Sequence, residues 1–256
     1  MTREIEVVVD ETHCLVVGSD EKVALLEAKA AGRAIVAIEK GMEEFSSVAP
    51  YVVPSWEDFG PELAELIARR HLGLPWFIGK GNRLTVRELT VRDSQLIPKE
   101  EQMGKEEEIF RQKEGMEAYI KHQYPFYEFG VWALVRTEDQ KLVGLGGVSI
   151  PRLPWELGED LENYKKAVRE KWEDWDVLEL GYRIFQPFRR QGLGREACQL
   201  ILSYCHQILC CKVCALIGEK NQASRRLAKD LGLYPAAIRE TGSLSPERLL
   251  LYVEKI

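Results

Sequence analysis

Between an apolar strand-like run, Val177 to Phe185, and a long helical run, Gly192 to Leu209, the chain places Arg189-Arg190-Gln191-Gly192-Leu193-Gly194. This junction constrains the fold more than any other segment. The first N–H groups of a helix have no intrahelical partner, and the macrodipole favours an anion beside them. Glycines at 192 and 194 let a backbone approach a phosphate closely. Arg189, Arg190 and Arg195 put positive charge there, in a chain whose net charge is −6. The segment reads as a pyrophosphate site, against the plain alternative of a Gly-rich turn into a helix.

The stretch Gly192 to Ala197 also fits the dinucleotide pattern G-x-G-x-x-A. That reading needs a βαβ unit and an acidic residue about twenty positions on. The nearest downstream acid, Glu219, is too far along, and the preceding pattern is an antiparallel hairpin. No G-K-[ST] occurs, which excludes a Walker loop.

Residues 1–72 follow another rule. Strand-like runs at Thr12 to Val17, Ala34 to Ile38 and Tyr51 to Val53 alternate with helical runs after Ser19-Asp20 and from Pro61 to about His71, which means parallel βα units. Residues 73–82, with Pro75 and glycines, read as a linker. From 83 onward the order is strand (Leu84 to Leu89), charged amphipathic helices (Glu100 to Tyr119), a hairpin (Val131 to Val135 and Leu142 to Ile150), a charged insert (151–176), then strand, helix, strand (Val213 to Gly218), helix (Gln222 to Leu231) and strand (Arg248 to Val253). That is an α+β pattern.

Bulk properties narrow the function. An acidic chain argues against a nucleic-acid partner held by phosphate neutralisation, and suits a cationic amine or a basic peptide. No apolar run of 18 residues occurs, so no membrane span is expected. With no secretory signal pattern, the expected location is cytoplasmic. Five of the six cysteines, Cys198, Cys205, Cys210, Cys211 and Cys214, crowd one region, with Cys14 apart. Their spacing does not make paired C-x-x-C hooks, so they read as reduced, buried small hydrophobes and no metal is expected.

Four motifs in order carry a resemblance. Leu84 to Asp93 looks like a first strand and turn. Glu179-Leu180-Gly181-Tyr182-Arg183-Ile184 looks like a fourth strand, and Arg189-x-x-Gly192-x-Gly194 follows at the matching distance. Asn221-x-x-Ser224, then Leu231-Gly232, completes the set. Together they resemble the GNAT superfamily of N-acetyltransferases over residues 83–256, in the Rim-like branch that acetylates ribosomal-protein N-termini. The resemblance implies a mixed, mostly antiparallel sheet flanked by helices. It implies an acetyl-CoA site formed by Ile184, Phe185, Arg189, Arg190, Gln191, Gly192, Leu193, Gly194, Arg195, Asn221 and Ser224. It also implies direct transfer to a primary amine in a ternary complex, with Glu179 as the candidate base. Asn221 and Ser224 have capping as their alternative role, and Glu179 that of an exposed strand residue.

Two positions depart from the family pattern. Ala228 stands where the family's usual tyrosine acid would be, leaving Tyr182 or Tyr234 as substitutes. Pro187 comes one residue later than the usual proline. The rival reading is a regulatory protein that binds acetyl-CoA without turning it over. Residues 1–72 weakly resemble the C-terminal half of HAD-like hydrolases, without their nucleophile loop, and are expected to be a non-catalytic Rossmann-like half-domain. The insert 151–176 is expected to form an acidic rim that draws a cationic acceptor. A solvated helix or a homodimer contact is the alternative.

Overall fold

A computed structural model describes residues 1–39, 48–99, 108–241 and 247–256. The chain divides into two compact units. The first gathers residues 1–76, 90–92 and 112–128, and the second residues 77–89, 93–111 and 129–256.

The first unit is a four-stranded sheet in the order β1 (Thr2–Val9), β2 (Thr12–Ser19), β3 (Ala34–Ile38), β4 (Val52–Val53). β1 and β2 form a hairpin whose turn residues Asp10 and Glu11 have φ of 47° and 67°, the left-handed pair that matches strand twist. β2, β3 and β4 run parallel. Helix α1 (Lys22–Ala30) supplies Leu25 and Ala28 to one face of the sheet, over Val17, Ile35 and Ala37. Helix α2 (Pro61–His71) supplies Ala64, Ile67 and Ala68 to the other, over Val16, Val36 and Ile38. Covered on both faces, β3 reads as a continuous apolar run.

Strand β1 was not expected. Its alternation of Glu4 and Glu6 with Ile5, Val7 and Val9 marks an edge strand with one buried face. Helix α3 (Lys113–Tyr127) belongs to this unit, far from its other residues in sequence. Arg70 joins them: its Nη1 donates to the Tyr124 carbonyl at 3.2 Å, and its guanidinium lies 5.8 Å from the ring centres of both Tyr51 and Tyr124. Of the helical run expected from Glu100 to Tyr119, residues 100–107 lie outside the described residues.

The second unit is an eight-stranded sheet. Its strands are β5 (Phe77–Lys80), β6 (Leu84–Glu88), β7 (Val131–Arg136), β8 (Leu142–Ser149), β9 (Asp176–Ile184), β10 (Cys211–Gly218), β11 (Leu233–Thr241) and β12 (Glu247–Glu254). Their order is β11-β12-β10-β9-β8-β7-β6-β5, and among the described strands of this sheet only β9 and β10 pair in parallel. β5 replaces part of the expected linker, and β11 was not expected, because Pro235 and a bulge between Pro235 and Ala237 break its pattern.

Helix α5 (Leu193–Gln207) covers one face with Leu193, Ala197, Cys198, Ile201, Leu202 and Cys205, a stripe at helical spacing. The insert covers the opposite face. Its helix α4 (Gly158–Lys171), preceded by a short 3₁₀ turn, buries Leu157, Leu161, Tyr164 and Val168 against Val177, Cys214, Ala237, Leu251 and Val253. Successive residues of β9 therefore alternate between the two layers: Val177 faces α4, whereas Tyr182 lies against the start of α5. Helix α6 (Gln222–Asp230) follows β10. Among the described residues no helix is long and apolar enough to cross a membrane.

Candidate active site

The parallel ladder of β9 and β10 runs from Asp176 and Cys211 to Glu179 and Cys214 and stops. Beyond it each strand holds a different neighbour. β9 continues against β8 as far as Ile184, and β10 continues against β12 as far as Gly218. The strands part, and a wedge opens between them. Its walls include Tyr182, Cys198, Ala215, Asn221, Ser224 and Ala228, and its volume is about 220 Å³. A second hollow of about 300 Å³ is lined by Phe110, Val131, residues 145–149 of β8, and Glu179, Gly181, Tyr182 and Arg183. Glu179, Gly181 and Tyr182 line both, so one short piece of β9 separates two spaces and touches each.

Glu179 ends the ladder. Burial pushes its carboxyl above the usual range, against a backbone N–H from Arg152 that reaches Oε2 at 3.3 Å. A carboxylate raised in this way is a better proton acceptor near neutral pH than a free one. Three residues on, the Tyr182 hydroxyl shares a hydrogen bond of 3.2 Å with Ser224 Oγ. Burial pushes the Tyr182 phenol up, so it stays protonated at neutral pH. Asn221 caps α6: its Oδ1 accepts the N–H of Ser224 at 3.1 Å, which fixes Ser224 opposite Tyr182. Ala228 contributes only a methyl to the wedge wall. Tyr234 is 40% exposed on β11 and lines neither hollow.

The glycine loop adjoins the wedge. Gly192 caps α5 with φ of 76°, a left-handed conformation that suits glycine. A Cβ on Gly194 would meet the Tyr182 ring at 3.0 Å, so the loop backbone rests directly on that ring. Arg189 is held by its Nε, which donates to the Ile184 carbonyl at 2.8 Å. Arg190 is exposed with φ of 60°, and Arg195 lies 3.9 Å from Asp230. Gln191 has its carbonyl taken by Arg83 at 2.7 Å. Leu193, Ile184 and Phe185 are buried, and the Phe185 N–H is committed to the Val143 carbonyl at 2.9 Å. Of these, Ile184 lies against the loop, with its Cγ1 3.5 Å from where a Cβ on Gly194 would stand.

Sequence reasoning missed Arg83, Phe110, Ser149 and Cys198 as neighbours of the site. Phe110 sits on a short 3₁₀ turn and Ser149 at the end of β8, and no spacing rule joins either to Glu179. Cys198 was readable as a buried helix residue, but not as a wall of the wedge. Burial pushes its thiol up to about 12. Among the described residues no group of three His, Cys, Asp or Glu side chains is placed to hold a metal ion.

A family model described as an acetyltransferase (GNAT) domain matches residues 83–234. No curated protein matches the chain. Among solved structures, it is similar to a GnaT-family acetyltransferase from Bordetella pertussis, with 17% identity and a TM-score of 0.50 over 70% of this chain and 99% of that one. It is similar to the ribosomal-protein-S5-alanine acetyltransferase of Vibrio fischeri, with 14% identity and a TM-score of 0.50 over 71% and 96%. It is also similar to RimL, a ribosomal L7/L12 alpha-N-protein acetyltransferase solved with coenzyme A, with 12% identity and a TM-score of 0.53 over 71% and 98%. At such identities the likeness speaks for the fold. The family match spans more than half of the chain: it belongs to the GNAT family of acetyltransferases, enzymes that draw their acetyl group from acetyl-CoA.

Proposed function

We propose that this enzyme transfers acetyl to a primary amine by direct attack, with donor and acceptor bound together, and that Glu179 is the base. The observation that carries the reading is the position of Glu179 at the point where β9 and β10 part, on the boundary of both hollows. The wedge suits the donor, because it adjoins the glycine loop. The hollow beside Phe110 and β8 suits the acceptor.

The residues present fit acetyl-CoA. Outward N–H groups at the start of α5, with Arg189, Arg190 and Arg195 nearby, suit its diphosphate. Asn221 and Ser224 flank the space for its pantetheine arm. When bound, it supplies a thioester carbonyl and a thiolate leaving group. Glu179 takes a proton from the acceptor ammonium, so that the nitrogen lone pair is free to attack. The Tyr182 hydroxyl, linked to Ser224, returns a proton on the donor side. In this reading Tyr182 supplies the acid that Ala228 cannot, and both residues line the wedge. Cys198 is a poor nucleophile as a protonated thiol, and this favours direct transfer over an acetyl-cysteine route.

The acceptor is read as a small amine, a protein N-terminus or a basic peptide, each of which presents an ammonium group from which Glu179 can take a proton. The insert contributes less acidity than its composition suggests. Asp160 pairs with Arg239 at 2.7 Å and Glu162 with Lys165 at 3.1 Å, while Glu173 and Asp174 remain exposed.

Initial rates with both substrates varied test the reading. Intersecting double-reciprocal lines, with no label retained on protein given labelled acetyl-CoA alone, are expected. Parallel lines with a stable acetyl-enzyme would overturn it.

A further inference from the structure

Helix α5 begins with a conflict. Its N-terminus offers N–H groups and the positive end of the dipole to an anion. Yet Glu196 places a carboxylate in that same first turn. The Gln191 carbonyl adds a second electronegative atom within the loop. Both oppose a bound diphosphate.

Arg83, one residue before β6, engages both. Its Nε donates to Glu196 Oε2 at 2.8 Å, and its Nη1 donates to the Gln191 carbonyl at 2.7 Å. Its backbone N–H and that of Leu84 donate to Glu196 Oε1 at 2.7 and 3.1 Å. Burial alone would raise the Glu196 carboxyl; these donors outweigh it and hold the group below its ordinary value, so it stays ionised and occupied. The remaining nitrogen, Nη2, lies 3.3 Å from where a Cβ on Gly192 would stand. The Arg83 side chain is 51% exposed, so apolar burial is not what holds it there.

We propose that Arg83 is the positioning residue of the donor loop: it cancels the charge of Glu196, ties down the Gln191 carbonyl, and leaves the loop N–H groups to the diphosphate. The proposal rests on the reading of this loop as the diphosphate site. The planar fork of arginine is required, because the two acceptors lie on different residues and a lysine point charge serves only one well.

The test compares acetyl-CoA with S-acetylpantetheine, which carries the thioester and the arm but no phosphate. Wild-type enzyme should strongly prefer acetyl-CoA. Arg83→Met should raise the acetyl-CoA KM by roughly tenfold or more, the scale of a lost charge-assisted contact. The KM for S-acetylpantetheine, the acceptor KM and kcat should stay. Arg83→Lys should fall between and carries the test should the methionine variant fail to fold. Adding Glu196→Gln to Arg83→Met should recover part of the affinity, since it removes the unbalanced charge. A purely structural arginine would raise both donors' KM alike and show no recovery, which overturns the proposal. An unchanged acetyl-CoA KM in a wild-type background that discriminates the donors overturns it and leaves the loop reading standing. A wild type indifferent to the phosphates removes that reading, and this proposal with it.

Discussion

The molecule contains two parallel ladders of the same length with opposite outcomes. In the small sheet, β2 and β3 pair at four positions, Val16 with Ala34 through Ser19 with Ala37. In the large sheet, β9 and β10 also pair at four, Asp176 with Cys211 through Glu179 with Cys214. β3 ends one residue after its ladder, is buried throughout, and has β4 on its other side. β9 and β10 continue for five and four residues past theirs, each held by a separate antiparallel partner. A ladder that stops with its strands is sealed as core. One that stops before its strands do leaves a wedge, and its last rung lines that wedge through Glu179. The residues agree: Val17, Val36 and Ala37 line the sealed pair, and Glu179, Tyr182 and Ser224 the open one.

Blocking the donor loop tests the open side of this contrast most severely. In Gly192→Asp the new carboxylate would lie beside the Arg83 guanidinium, 3.3 Å from the Cβ position, and occupy the anion site from within. Aspartate tolerates the left-handed conformation better than most residues, so the fold should survive. Acetyl-CoA affinity should fall by about a hundredfold or more, the scale of a displaced charge contact. Calorimetric titration measures it, and an affinity within threefold of wild type would show that the loop does not bind the donor.

The last rung comes next. Glu179→Gln keeps shape and removes the proton acceptor. We expect kcat to fall by on the order of a hundredfold with acetyl-CoA binding nearly intact. The acidic limb of the wild-type kcat/KM profile should lie above the usual carboxylate range, because burial raises this carboxyl, and should vanish in the variant. A loss smaller than threefold, with the limb still present, would return Glu179 to a structural role.

The loop was legible because its chemistry sits in consecutive residues: glycine spacing, arginines and the strand-to-helix switch all fall within Arg189 to Arg195. Glu179 was named through the resemblance, whose fourth strand lines the cleft, and the residue borders both hollows. Asn221 could be read as a cap from its spacing to Ser224, and the cap is present. Arg83 and Phe110 could not be read, since they reach the site through strand order rather than sequence distance. β1, β5 and β11 escaped because edge strands carry charges, glycines or proline that mimic loops. Leu157, Leu161, Tyr164 and Val168 stand at helical spacing in the sequence. That this stripe covers the back of the sheet depended on partners in β11 and β12 that pattern alone does not reveal.

The smallest effect concerns stability and sharpens the same contrast, since the sealed ladder bears no titrating side chain on its last rung, Ser19 with Ala37. A folded-state carboxyl raised above its unfolded value binds more protons folded than unfolded as pH passes between the two. Stability is therefore fully present below the ordinary carboxylate value and declines as pH rises through the raised one. Glu179 lies in this class by burial. Glutamine resembles the neutral form and does not titrate. Glu179→Gln should thus unfold at a higher temperature than wild type at pH 7.5, by a few degrees or less, given about 2–4 °C per kcal/mol for units of this size. The gap should close as pH falls below the ordinary carboxylate range. Contributions from every other group are common to both proteins and cancel in the difference. Thermal scans of both from pH 4 to 8 measure it. A gap that is constant with pH, or a variant less stable at pH 7.5, would mean that Glu179 is stabilised as an anion, and that the last rung of the open ladder is held in place rather than poised to accept a proton.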